Sequence, residues 1–396
     1  MIKKELLLTL FDTTCIQRWN DKLRPVNLVE LDFQAHRLMI AYFLGKWEEL
    51  ESCFSWIDVI DSSIFDLLET AILTDLKWDV KERLNENQTR RSEKDTFVLQ
   101  ELRPMLSAVG NGLLKKFCDY QAGKAMKPLS LSVSRAAKTY ARRCEFRLLE
   151  NANPSGYEIE DIGENLQEDW AGHNDLKGCQ QLNNFRKYRH FVDLCGELRF
   201  QVRWSHLHLV PRTSVLGHSM FVAVIAYLFS LEVGACERQR VNNFFTGLFH
   251  DLEETLIRDV RSPLKREIPG LGKTLKEISK EKMEQKVLTL LPPPWVDEFR
   301  LFSMEELKDD FATVKGKRKP VAKKVFSIYN MDKYCPRSGS LVNEADKLAA
   351  FIEAFQGIAN GCGSSELEEA KDSLPKEPRA QTGQLDIGAI YSEFTH

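Results

Sequence analysis

Residues 240–258 read RVNNFFTGLFHDLEETLIR, and this stretch decides the fold. Its apolar positions follow a helical pattern with no proline to break it, so it reads as a helix of a helical protein. The apolar run TGLF ends on His250-Asp251. Two adjacent metal-capable side chains next to buried residues need a partner, because unpaired burial costs roughly several kcal/mol. A divalent cation satisfies both. Imidazole nitrogen with carboxylate oxygen suits Mn, Fe, Co, Ni or Zn, and no thiolate is offered nearby.

Working outward, residues 216–232, LGHSMFVAVIAYLFSLE, carry a broad apolar face with His218 near their start. Residues 342–359 place Val342, Ala345, Leu348, Ala349, Ile352 and Phe355 on one helical face, with Asp346 among them. No alternation is long enough to propose a sheet. The expected fold class is therefore all-α, as two tandem, packed helical domains. The expected boundaries are 1–168, 176–362 and a flexible tail from 363 to 396. Residues 151–178 are acidic and hold a proline and four glycines, and they read as a linker. Pro292, Pro293 and Pro294 mark a turn or stiff loop. Residues 315–324, KGKRKPVAKK, read first as a solvated loop and second as a loop that draws anions toward a site.

Composition sets the frame. The chain has 396 residues, which at roughly 100–200 per domain predicts two domains. Hydrophobic residues make up 43% and charged residues 29%, so a sizeable core is available. A formal charge of −3 gives no electrostatic argument for a nucleic-acid or membrane partner. Nucleic-acid binding rests on the 315–324 run alone and is the weakest reading. The N-terminus lacks the pattern of a signal peptide, and the apolar stretch Met220 to Leu231 is too short to span a bilayer, so a cytoplasmic protein is expected. The nine cysteines form no C-x-x-C pair, which excludes a zinc ribbon and fits reduced thiols. A homo-oligomer is left open.

The chain also repeats itself. Arg18-Trp19 recurs as Arg203-Trp204, and Ile40-Ala41-Tyr42 recurs at the same offset as Ile225-Ala226-Tyr227. With the offset shortened by one residue, the segment starting at Phe65 aligns with that starting at Phe249. There Phe65/Phe249, Leu68/Leu252, Glu69/Glu253, Asp75/Asp259 and Lys81/Lys265 are identical. Two blocks in order indicate a tandem duplication. The copies differ where chemistry would occur: opposite His218, His250 and Asp251 stand Phe33, Asp66 and Leu67. His36 is the only histidine in the first 172 residues. The first copy is thus expected to lack a metal site.

Glu254 lies four residues after His250 and three after Asp251, so a continuous helix places it on their face. A carboxylate there can take a proton from an attacking water and return it to a leaving group. Glu253 is rotated away and is the weaker candidate. For His218 or Asp346 alone, a satisfied core histidine or an exposed helical aspartate is the stronger reading. The ordered set His218, His250-Asp251, Asp346 on predicted helices is far more specific.

That ordered set resembles the HD superfamily of metal-dependent phosphohydrolases, whose pattern is H…HD…D on a helical fold. Within it, the chain is most similar to the bacterial 5′-deoxynucleotidases. The resemblance is carried further by Arg203-Trp204 before the first histidine, Glu254, Asp259 and Pro263-Leu264-Lys265. It implies one divalent metal ion (Mn, Co, Ni, Fe, Zn or Mg) held by His218, His250, Asp251 and Asp346. It also implies Glu254 as general acid/base, and Arg203, Trp204 and Asp259 in substrate selection. Lys265 as a phosphate contact is a further expectation of ours. Arg203-Trp204 has a structural alternative, a packing pair, and the persistence of Arg18-Trp19 in the other copy favours it. The expected function is removal of phosphate from a small nucleotide, with a 5′-deoxynucleoside monophosphate as the model substrate. The alternative is a nucleotide- or alarmone-sensing regulatory protein with little turnover.

Overall fold

A computed structural model describes residues 2–74, 76–124, 126–258, 268–321, 326–376 and 385–394. The first half contributes α1 (Lys4–Phe11), α2 (Glu30–Lys46), α3 (Trp56–Leu73), α4 (Trp78–Glu86), α5 (Gln88–Leu106), α6 (Leu113–Gln121), α7 (Pro128–Glu150), α8 (Ile159–Ala171) and α9 (Lys177–Asn184). The second contributes α10 (Arg186–Glu197), α11 (Val215–Glu232), α12 (Glu237–Phe249), α13 (Glu254–Ile257), α14 (Leu271–Lys282), α15 (Val296–Ser303), α16 (Gly339–Ala359), α17 (Ser365–Ser373) and α18 (Ile387–Ser392). The helical class expected from the sequence holds.

Two buried helices organise the interior. Every residue of α2 is buried, as is every residue of α11 before Glu232, and the two pack against each other. A helix apolar all round, as α11 is, belongs in the middle of a protein, whereas α2 buries its polar residues against partners such as Asp66 on Arg37. Tyr42 of α2 reaches across the halves, with ring centroids 5.0 Å from Phe245, 5.2 Å from Phe249 and 6.0 Å from Phe302. One continuous hydrophobic core therefore runs through both halves. By length and hydropathy α11 could cross a membrane, contrary to the expectation that this stretch is too short. Its 94% burial inside the protein accounts for its composition instead.

Several local expectations need correction. A small antiparallel sheet exists, in the order β2-β1-β3, with β1 Asp310–Val314, β2 Lys317–Pro320 and β3 Arg337–Ser338. Strands of two to five residues are too short to show alternation. The basic run supplies the hairpin, turning through Lys315 (φ 51°) and Gly316 (φ 71°). The expected linker contains α8, which packs Ile159 and Leu166 on Phe146. Described parts of the expected tail are docked: Leu367 is buried, and Tyr391 and Phe394 pack their rings on Phe351 at 4.8 and 5.4 Å. The Lys4 backbone N–H donates to Glu393 at 2.6 Å, joining the two ends of the chain. The helix expected through 258 stops at Phe249.

The two halves are alike in detail. Gln17 bridges Val29 as Val202 bridges Ser214. Trp19 and Trp204 both adopt positive φ, 55° and 52°, which is rare for a bulky residue. The Trp19 indole donates to Glu145 at 2.8 Å and the Trp204 indole to Glu353 at 2.9 Å. The Arg18 and Arg203 Nε atoms donate to those same carboxylates at 2.9 and 3.0 Å. Aligned on these glutamates, Ala137 and Ala141 of α7 match Ala345 and Ala349 of α16, all four fully buried. These likenesses support the duplication read from the sequence, and we propose that the N-terminal half is a second, altered copy.

Candidate metal centre

Three elements bring the candidate ligands together. Ser214 caps α11, accepting from the Gly217 N–H at 2.8 Å, and its own hydroxyl donates to Asp32 at 2.6 Å. That starts α11 with His218 in its first turn, facing α16. Gly247 lets α12 approach α11, since a Cβ there would stand 2.7 Å from the Ala223 Cα. His250 follows at the C-terminal end of α12. The third element, α16, is capped by Ser338, and Asp310 of β1 accepts from the Ser338 hydroxyl, the Ser340 N–H and the Ser340 hydroxyl. The small sheet thus anchors the helix that carries Asp346.

His218 Nε2 lies 2.9 Å from Asp346 Oδ1, and His250 Nε2 lies 3.9 Å from the same oxygen. One ligand atom each from His218, His250 and Asp346 fall within 4.8 Å of one another. Asp251 stands beside them, with Oδ2 at 3.2 Å from His250 Nε2. Both imidazoles are held from behind. His218 Nδ1 meets the Glu353 carboxylate at 3.0 Å and His250 Nδ1 meets the Gly247 carbonyl at 2.8 Å. Protons on Nδ1, donated to those two acceptors, would free each Nε2 lone pair for a metal, the tautomer a metal ligand requires. His250 Nε2 is buried and makes no hydrogen bond.

The charges point the same way. Asp251, Asp346, Glu353 and Glu254 all act on one guanidinium, that of Arg203, and raise its pKa against the effect of burial. Burial opposes a charged imidazolium at His250, yet Asp251 and Asp346 hold it up at about 9. Burial likewise opposes the Glu353 carboxylate, but Arg203 and His218 bring it down to about 2. Four carboxylates outnumber the single arginine around the two imidazoles. A divalent cation fits this donor set.

The other expected site residues separate. Arg203 and Trp204 are close by, but both spend hydrogen bonds on Glu353, and the nearest Arg203 nitrogen is 3.9 Å from Asp251. Glu254 opens α13 rather than continuing α12. The links Leu252 N–H to Phe249 and Glu254 N–H to Asp251 are i to i+3 bonds, so Glu254 lines up with Asp251 more than with His250. Glu253 turns away and takes the Ser279 hydroxyl of α14. Asp259 and Lys265 lie outside the described residues. Glu353, which braces His218 and gathers Arg203 and Trp204, was missed from sequence. Its signal was a carboxylate two turns beyond Asp346 among the apolar residues of α16, matched by Glu145 in α7.

Comparison with known proteins agrees with this region. The HD-domain family model matches residues 195–374. A 5′-deoxynucleotidase of Photobacterium profundum is 26% identical over 192 residues, 47% of this chain and 83% of that protein. Those of Vibrio vulnificus and Vibrio cholerae are 29% and 24% identical over 190 residues, 47% of this chain and 82% of each relative.

Proposed function

We propose, from the premise that residues 195–374 are an HD domain, that this chain is a metal-dependent phosphohydrolase that removes phosphate from a 5′-deoxynucleoside monophosphate or a close relative. The observation that carries the reading is the convergence of two back-braced histidine Nε2 atoms on Asp346. In this reading His218, His250, Asp251 and Asp346 hold the ion. When bound, the ion supplies Lewis acidity and positive charge toward the phosphoryl oxygens.

The chain's own residues do the rest. Glu254, one turn beyond Asp251, takes a proton from the attacking water as its oxygen bonds to phosphorus. It returns that proton to the sugar oxygen as the phosphorus–oxygen bond breaks. Glu353 fixes the His218 ring, and Arg203 and Trp204 hold Glu353, so this pair acts first as positioning residues. Arg203, with Nη1 3.9 Å from Asp251, would also meet a substrate oxygen at the ion. Nine free cysteines support a reducing, cytoplasmic location.

Phosphate release from deoxynucleotides and ribonucleotides by EDTA-treated protein, with Mn, Co, Ni or Mg added back, tests the proposal. Turnover should require added metal and favour a 5′-monophosphate. Glu254→Ala should lower turnover by about 10²–10⁴-fold with metal content unchanged, whereas Glu253→Ala should do little. A bound metal with no turnover of any nucleotide would point to the sensing alternative.

A further inference from the structure

A cavity lies in the N-terminal half, away from the candidate metal ligands. Its volume is about 860 Å³, the size of a small-molecule site. On the alignment of the two halves it occupies the face where the second half carries its ligands. Aligned on Glu145 and Glu353, Lys138 stands at the place of Asp346, while Asp66 stands at that of His250 and Phe33 at that of His218. The altered copy thus places a fixed ammonium where the other half has a metal-ligating pattern.

The floor of this cavity has more positive charge than its carboxylates neutralise. Asp66 is contacted by Arg37 at 2.5 Å, Lys138 at 2.9 Å and Lys81 at 3.6 Å. Three cations share that one carboxylate, and the nearby Glu69 is paired with Lys94 at 2.5 Å. Across the whole lining, seven basic side chains face five acidic ones, so the excess is not cancelled at the rim. Arg37 is only 4% exposed and lines the cavity, yet its Nε has no hydrogen-bond partner. A buried guanidinium N–H without an acceptor is costly, and it leaves the positive charge of the floor incompletely paired. Burial, with Arg37 and Lys81, presses the Lys138 ammonium down to about 8 despite Asp66, as an added anion would reverse. Tyr120 offers an aromatic wall.

We propose that this N-terminal cavity is a metal-independent binding site for a phosphate-bearing small molecule of nucleotide size, with Arg37 and Lys138 as its charged floor. Phosphate oxygens match the fork of a guanidinium and the point charge of a lysine. The site is independent of the catalytic proposal, because it needs neither the metal nor turnover.

Calorimetric titration of the full, EDTA-stripped chain with AMP tests it, with adenosine as the control. Saturable AMP binding without metal is expected, and adenosine should bind weakly or not at all. Arg37→Met should weaken AMP binding at least about tenfold, the loss of one charge-assisted hydrogen bond. Because a buried substitution can compromise folding, Arg135→Glu on the exposed rim serves as a second variant and should weaken AMP too. On the unmodified chain, AMP should slow acylation of Lys138 read by mass spectrometry, since the Lys138 side chain is 23% exposed. Absence of metal-free binding, equal binding of adenosine, or AMP binding without Lys138 protection would overturn the proposal. None of these outcomes depends on whether the metal centre hydrolyses a nucleotide.

Discussion

At the scale of single residues, two carboxylate–histidine contacts explain most of the candidate site. Glu353 accepts from His218, Arg203 and Trp204 at once. Glu353→Gln leaves one acceptor oxygen and puts an amide donor against a donor. Metal affinity should fall about 10–100-fold, with turnover at saturating metal largely restored. Isothermal titration with Mn²⁺ reads this directly, and Glu145→Gln, the matching change in the other half, should leave it unaltered. His36 makes a different prediction. Burial first, and then Arg199, hold its imidazole down at about 3. Above the ordinary value near 6.5 it is neutral folded and unfolded and gives no slope. As pH falls below that value, only the unfolded chain takes the proton, and stability is lost at up to about 1.4 kcal/mol per pH unit until the folded pKa is approached. Urea titrations near pH 7 and near pH 5 should show a loss about 2 kcal/mol larger for the unaltered protein than for His36→Gln. Equal losses would mean that His36 titrates normally. The candidate ligands His218, His250, Asp251 and Asp346 could be picked out in the sequence because their types and order are specific. Glu353 was not, because its partners converge only in three dimensions.

At the scale of elements, the long helices α11 and α16 were legible from their apolar faces, and the short pieces were not. The strands are too brief to alternate, and α18 has only six residues. The break after Phe249 was hidden because His250 to Glu254 keep helical character while tightening to i to i+3 bonds. The expected helical face for Glu254 therefore shifts by a fraction of a turn. The α11–α12 contact is the element on which the site most depends. Gly247→Ala would drive a methyl into the Ala223 backbone, so α12 must move away or distort. We expect a stability loss of about 1–3 kcal/mol. A weakened metal site should accompany it, because the Gly247 carbonyl orients His250. Thermal melts with and without Mn²⁺ check both effects, and an unchanged metal-induced shift in Tm would separate the packing from the site.

At the scale of the molecule, the paired offsets pointed to two similar halves, and the repeated Arg-Trp-Glu geometry supports that reading. What sequence could not convey is that the halves share one core. Tyr42 and the Phe245–Phe302 group belong to different halves yet form one aromatic cluster, and nothing in either segment alone states that pairing. The division of labour proposed for the halves rests on substitutions at equivalent places: ligand-type side chains in the second, a lysine–arginine floor in the first. Anomalous diffraction from crystals soaked in Mn²⁺ tests the central claim most directly. The account predicts one strong peak, roughly 2.0–2.3 Å from His218 Nε2, His250 Nε2 and carboxylate oxygens of Asp251 and Asp346, and no peak beside Lys138. A peak away from His250, or none in crystals whose protein hydrolyses nucleotides, would contradict it.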